Sequence, residues 1–263
     1  MQGPARRRAP AGDGGGSTGS ASAERGAGPG RPGGARAPLL ARRATPRVPR
    51  DEASRARLRS LRRSLEIVAF ALSLLPLAYV AWAALADPDR LGANPINAVE
   101  HFTGEWALRF LLFTLAVTPA RQITGWGELV KYRRMLGLFA FFYATVHLLT
   151  WVVVDMELDL GDMGHDIVKH KYVTIGMLGW LMLLPLAVTS TKGWIRRLGG
   201  RRWNRLHKLA YAAAVAGTIH FFWAVKKDIG DPLIFAGILA ALLAYRGWKA
   251  ALRRRERELR AVA

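Results

Sequence analysis

Between Leu65 and Trp248, six apolar stretches follow one another, separated by short charged loops. A soluble domain of this size shows apolar residues recurring at helix or strand spacing, with polar residues between them. These stretches are apolar all round, which is the pattern of segments that face lipid. In hydrocarbon every backbone N–H and C=O must find a partner inside the protein, so each stretch is read as a helix. The expected fold class is all-α: a polytopic membrane protein, a six-helix transmembrane bundle with both termini cytoplasmic. The expected spans are about Leu65–Ala86, Trp106–Ala120, Met135–Val154, Tyr172–Ser190, Leu206–Val225 and Pro232–Trp248. Several fall short of the roughly 20 residues a bilayer requires, so their ends should extend into the loops.

The charges order these spans. The loop between spans 2 and 3 carries Arg121, Lys131, Arg133 and Arg134 against Glu128. The loop between spans 4 and 5 carries Lys192, Arg196, Arg197, Arg201, Arg202 and Arg205 without an acid. The remaining loops are acidic or mixed, with Asp87, Asp89 and Glu100 in one and Asp155, Glu157, Asp159, Asp162 and Asp166 in another. Excess Lys and Arg mark cytoplasmic loops, which places both termini inside the cell. Trp82, Trp126, Trp151, Trp194 and Trp223 fall near span ends, as an interfacial belt requires.

The net charge is +20, of which residues 1–63, with fifteen arginines against four acids, contribute +11. Such a balance invites a nucleic-acid reading; here the rest of the charge clusters on one side of the bundle, as topology demands. Residues 1–50 are rich in Gly, Ala, Pro, Ser and Arg, cannot bury a core, and are expected to be a disordered tail. Residues 51–64 read as a basic juxtamembrane segment suited to anionic lipid. Residues 65–250 form the membrane domain and residues 251–263 a basic cytoplasmic tail. The chain has no cysteine. That excludes Cys-ligated iron–sulfur clusters, thioether-linked haem and disulfides.

Three of the six histidines lie in apolar segments. An intramembrane histidine is costly and marks a functional site by default. It can ligate a haem or metal, relay protons, or hydrogen-bond between helices. His147 in span 3 and His220 in span 5 both lie in the outer half at nearly equal depth. Two imidazoles so placed can hold a haem iron between them. His207 starts span 5 on the inner side, thirteen residues before His220. On a straight helix the two point about 140° apart, so His207 either meets a second haem from another direction or has an interfacial role. Span 3 has no second histidine; Arg133, on nearly the same face as His147 and level with His207, can neutralise a haem propionate or a flavin phosphate, or simply serve topology. His101 reads as an interfacial structural residue, and His165 and His170 as solvent-exposed loop residues.

Much of the membrane domain resembles one family. The stretches NPINAVEHFTGEWALRFLLFTLAVTPAR, RRMLGLFAFFYATVHLLTW, YVTIGMLGWLMLLPLAVTST, WNRLHKLAYAAAVAGTIHFFWAVK and DPLIFAGILAALLAYR carry the likeness, in order and at matching spacing. They resemble the haem-binding membrane subunits of bacterial MsrPQ methionine-sulfoxide reductase systems, the MsrQ family within the ferric-reductase-like transmembrane group. The resemblance implies a non-covalent haem b, with His147, His207 and His220 at the family's haem histidines. It also implies that members can bind FMN, for which no motif places a site here.

Fifteen residues follow Trp248, and no G-x-G-x-x-G follows a strand. The expectation is therefore that the chain does not oxidise NAD(P)H with a domain of its own. Electrons would come from the quinone pool, as the resemblance implies, or from a soluble flavin reductase. They would pass through haem to a periplasmic molybdopterin-containing catalytic subunit, the chain being an electron-transfer subunit in the bacterial inner membrane. Two alternatives stay open. A ferric or cupric metalloreductase would need outer-loop ligands such as Met156, Met163, His165 and His170. A haem-free transporter would need acids within its spans.

Overall fold

The computed structural model describes residues 52–225 and 229–262; the tail expected over residues 1–50 lies outside them. Among the described residues there are helices and no strands. The helices are α1 (Glu52–Ala86), α2 (Pro95–Thr124), α3 (Leu129–Thr150), α4 (Leu160–Lys169), α5 (Lys171–Val188), α6 (Lys192–Leu206), α7 (Leu209–Ala224) and α8 (Gly230–Val262). Four segments are long and apolar enough to cross a membrane: Ser54–Ala86, Leu129–Asp155, Lys171–Val188 and Gly230–Ala261. Helix α7 is equally apolar but shorter. Large apolar side chains face outward along α1, with Leu65, Ile67, Leu72 and Leu75 all more than half exposed. Lipid is the solvent that makes such a surface stable.

Helix α2 is twice as long as the stretch Trp106–Ala120 expected for it, about 45 Å. Asn94 explains the early start: its side chain accepts from the Asn97 N–H, and Pro95 follows at the first helical position. Gly125, at φ 71°, ends the helix. The extension brings Glu100, His101 and Glu105 into the helix. Arg109 then reaches back one turn to Glu105 at 2.6 Å and lies 5.1 Å from the Trp106 ring and 5.5 Å from that of Phe235. An acid that the sequence placed outside the span is thus within the helix and paired.

The basic loop after α5 is also helical. Thr191 caps α6 by accepting the Trp194 N–H, and Gly199 at φ 71° bends it. The acidic loop holds α4, capped by Asp159, whose side chain accepts from the N–H groups of Gly161 and Asp162. Residues 52–64 continue into α1, and residues 251–262 continue α8.

Helices α2 and α3 pack through Leu108, Leu111, Leu112, Leu115, Phe139, Ala140 and Tyr143. Helices α5 and α7 pack through small residues, Gly179 lying against Ala216. Where lipid offers no hydrophobic drive between helices, such close backbone approach carries association. Trp180 ties the two pairs together, donating to Thr145 Oγ1 at 3.0 Å and stacking on Phe141.

Prolines interrupt three helices, and at two of these breaks side chains from elsewhere make the repair. At Pro76 in α1, the Tyr143 hydroxyl accepts from the Leu77 N–H at 3.0 Å and donates to the Ser73 carbonyl at 2.8 Å. It thereby bridges the two groups that a regular helix would join directly. Pro119 in α2 has no N–H to offer Leu115 O, and Arg246 Nη2 donates to that carbonyl instead.

Candidate haem-binding site

Helices α2, α3, α5 and α7 enclose a cavity of about 740 Å³. Its walls are mostly apolar, and small residues such as Ala107, Ala144, Gly179, Ala213 and Gly217 are among them. Such a volume lies in the range of cofactor pockets. His147 and His220 face each other across it, ring centroids 5.9 Å apart and planes at 70°.

Each ring is held in the same way. His147 Nδ1 lies 3.0 Å from the Glu100 carbonyl, and His220 Nδ1 lies 2.7 Å from the Tyr172 carbonyl. A carbonyl oxygen only accepts, so each imidazole carries its proton on Nδ1 and donates it. Each Nε2 keeps its lone pair. A metal-ligating histidine shows this arrangement, its other nitrogen fixed by an acceptor outside the metal shell. Two imidazoles on opposite sides of one ion, each nitrogen about 2 Å from it, have centroids about 6 Å apart. The observed separation fits.

Both carbonyls belong to helices, where they already accept a backbone N–H from four residues on. Those residues are Gly104 for Glu100 and Gly176 for Tyr172. A Cβ on Gly104 would stand 3.3 Å from His147 Nδ1; one on Gly176 would stand 2.6 Å from His220 Nδ1. The absent side chains leave the space through which each ring reaches its carbonyl. The pair α2–α3 and the pair α5–α7 therefore build one ligand each on a common plan.

Polar groups gather at the acidic mouth of the cavity. His101, Glu100, Asp155 and Asp166 line it. Helix α3 ends there in a π-helical turn over Trp151–Asp155, a distortion common at functional sites. Glu100 Oε1 is buried without a hydrogen-bond partner among the described residues.

His207 stands elsewhere. It ends α6 and precedes α7, so the two histidines do not share a continuous helix and the expected 140° offset does not apply. Its ring stacks on Trp203, centroids 3.7 Å apart, and Nδ1 lies 3.2 Å from the Trp203 carbonyl. Its Nε2 is buried and without a partner among the described residues, a nitrogen free to ligate. His207 does not line the cavity that His147 and His220 share.

The sequence alone undervalued three features. His101 lines the cavity instead of serving only the interface. His170 is not simply exposed: its Nδ1 meets Asp166 Oδ1 at 2.5 Å and its ring packs 5.5 Å from that of Tyr172. Gly104 and Gly176 carried one signal, a glycine in the middle of an apolar helix. Among the described residues no three His, Cys, Asp or Glu side chains gather to hold a bare metal ion.

The ferric reductase like transmembrane component family matches residues 103–218, which hold Gly104, Gly176 and His147 and end two residues before His220. A protein-methionine-sulfoxide reductase heme-binding subunit MsrQ from Xanthomonas oryzae pv. oryzae (strain MAFF 311018) is 48% identical over 196 residues, covering 73% of this chain and 89% of its own length. The chain belongs to the MsrQ family. A second protein of that name, from Rhodospirillum rubrum, is 52% identical over 189 residues, 72% of this chain and 90% of the relative. A third, from Xanthomonas euvesicatoria pv. vesicatoria (strain 85-10), is 49% identical over 183 residues, 68% of this chain and 84% of the relative. Membership of this family accords with a membrane protein of several apolar helices.

Proposed function

We propose that this chain is the haem b-carrying electron-transfer subunit of a two-part methionine-sulfoxide reductase. The observation that carries the reading is the pair His147 and His220: facing rings at 5.9 Å, both protons committed to backbone carbonyls, both Nε2 lone pairs turned to one cavity. These residues would hold a haem iron. A haem bound there supplies one-electron transfer. The chain's own part is to fix both rings, exclude water with the apolar walls, and keep acids at the mouth.

His207, with its unpartnered Nε2, is assigned to the electron-entry side, either on a second haem or beside the donor. Arg133 is assigned to neutralise an anionic group there, a propionate or a phosphate. FMN is kept as a family-implied cofactor without a placed site. In this reading α1, α2, α3, α5, α7 and α8 make six crossings of the bacterial inner membrane. The basic ends, with both termini, face the cytoplasm. The quinone pool or a soluble flavin reductase supplies electrons, and a periplasmic molybdopterin-containing subunit receives them to repair oxidised proteins. The names of the relatives and the alternation of loop charge support this reading.

The test is a dithionite-reduced minus oxidised visible spectrum, with haem counted by the pyridine haemochrome method, on the purified chain and on His147→Ala, His220→Ala and His207→Ala. The expected result is a b-type spectrum, lost from the shared site in either of the first two variants. Full haem content in His147→Ala would sink the assignment. Loss of about half the haem in His207→Ala would mean a second haem; unchanged content would place His207 beside the donor.

A further inference from the structure

At the end of the bundle away from His147 and His220, Arg246 occupies the point in α8 where apolar sequence gives way to basic. Its Nη2 donates to the Leu115 carbonyl at 2.5 Å and its Nη1 to the Tyr211 hydroxyl at 2.5 Å. The guanidinium lies 5.0 Å from the Tyr211 ring centroid. These contacts fix the group but do not neutralise it. Its Nε is buried without a partner, and no carboxylate among the described residues pairs with it. A half-buried cation without a counter-charge is costly, and more so at the level of a membrane.

A cavity of about 600 Å³ opens beside this guanidinium, between α2, α7 and α8. Lys249, Arg253, Arg254 and Arg257 continue its wall, and no acid among the described residues lines it. Arg246, Arg253 and Arg257 recur at spacings of seven and four, which puts them on one helix face. Pro119 and Leu243 give the cavity an apolar floor. At the same end Trp126 and Trp248 are more than half exposed, as in an interfacial belt. A soluble anion needs only the charges; a lipid also needs the apolar floor and an opening at the interface, and both are present.

We infer that this cavity binds the phosphate headgroup of an anionic phospholipid, with Arg246 as its fixed base and Arg253 and Arg257 as closing cations. Basic pockets between transmembrane helices recognise headgroups in this way. The occupant neutralises Arg246 and so steadies the repair that Arg246 makes at Pro119. The inference does not depend on the haem assignment.

The test uses the full chain in nanodiscs of phosphatidylcholine with or without phosphatidylglycerol, transferred to detergent, with retained lipid counted by native mass spectrometry. One phosphatidylglycerol per chain should be retained in preference to phosphatidylcholine. Arg253→Gln with Arg257→Gln should lower that retention about tenfold to thirtyfold, at roughly one surface cation's worth of attraction each. Arg260→Gln, on the same helix but outside the cavity, should change it by less than about twofold. Circular dichroism and thermal unfolding establish that each variant is folded. Equal loss in Arg260→Gln would reduce the effect to diffuse attraction and overturn the site. Saturable binding of inorganic phosphate without any preference for phosphatidylglycerol would assign the cavity to a soluble phosphate compound and overturn the lipid assignment.

Discussion

Replacing Gly176 with alanine puts one methyl group into the tightest contact of the histidine pair. The new Cβ would stand 2.6 Å from His220 Nδ1, 2.9 Å from Cε1 and 3.2 Å from Cγ. Ordinary contact starts at about 3.5 Å, so the ring must retreat by about 0.9 Å. The hydrogen bond to Tyr172 O, now 2.7 Å, would then exceed the usual limit of about 3.2 Å. Losing it costs about 1 kcal/mol, and crowding in a packed interior adds about 1–3 kcal/mol. Removal of such a partner to a ligating histidine lowers metal affinity about 10–100-fold. A carbonyl acceptor also makes the imidazole a stronger donor, so its loss should shift the haem midpoint potential upward. Gly104→Ala is the built-in comparison. Its Cβ would stand 3.3 Å from His147 Nδ1, a misfit of about 0.2 Å that side chains absorb. Haem titration of apoprotein and redox potentiometry should therefore show a large effect for Gly176→Ala and a small one for Gly104→Ala. Equal haem affinity and equal potential in Gly176→Ala and the parent chain would refute the argument that these glycines open the carbonyls to the rings.

Further outcomes follow from other contacts. Tyr143→Phe removes the hydroxyl that bridges Leu77 N–H and Ser73 O at the Pro76 break, at a cost of about 1–3 kcal/mol. Thermal unfolding in detergent should fall by about 2–10 °C, and a change under about 1 °C would contradict the role given to Tyr143. Trp203→Leu removes the ring on which His207 stacks at 3.7 Å. It should alter the haem spectrum only if His207 ligates, while leaving the signal of the His147–His220 pair in place.

The all-helical class and four segments long and apolar enough to cross a membrane were legible in the sequence, because apolarity acts through composition and needs no partner. A costly histidine in hydrocarbon declares itself wherever it folds. Element ends were less legible. Helix α2 starts at Pro95 because Asn94 caps it, a local signal outweighed by the charges of Glu100 and Glu105 in a hydropathy reading. Those charges are tolerable only because Arg109 meets Glu105 and the mouth of the cavity receives Glu100, which are facts of packing. His207 was placed on one helix with His220, and the turn at 207–208 separates them.

The sequence by itself determined that this chain must be a helical membrane bundle without cysteine chemistry, and which histidines it hides from water. Only the tertiary structure decided that α2 and α5 each offer a carbonyl and a glycine to the histidine of the helix packed against them. Rings 73 residues apart in the chain become neighbours at 5.9 Å through that arrangement. The reason is physical. Burial depends on what a residue is, whereas the direction of a lone pair depends on which acceptor, brought from elsewhere in the chain, takes the proton on the other side of the ring.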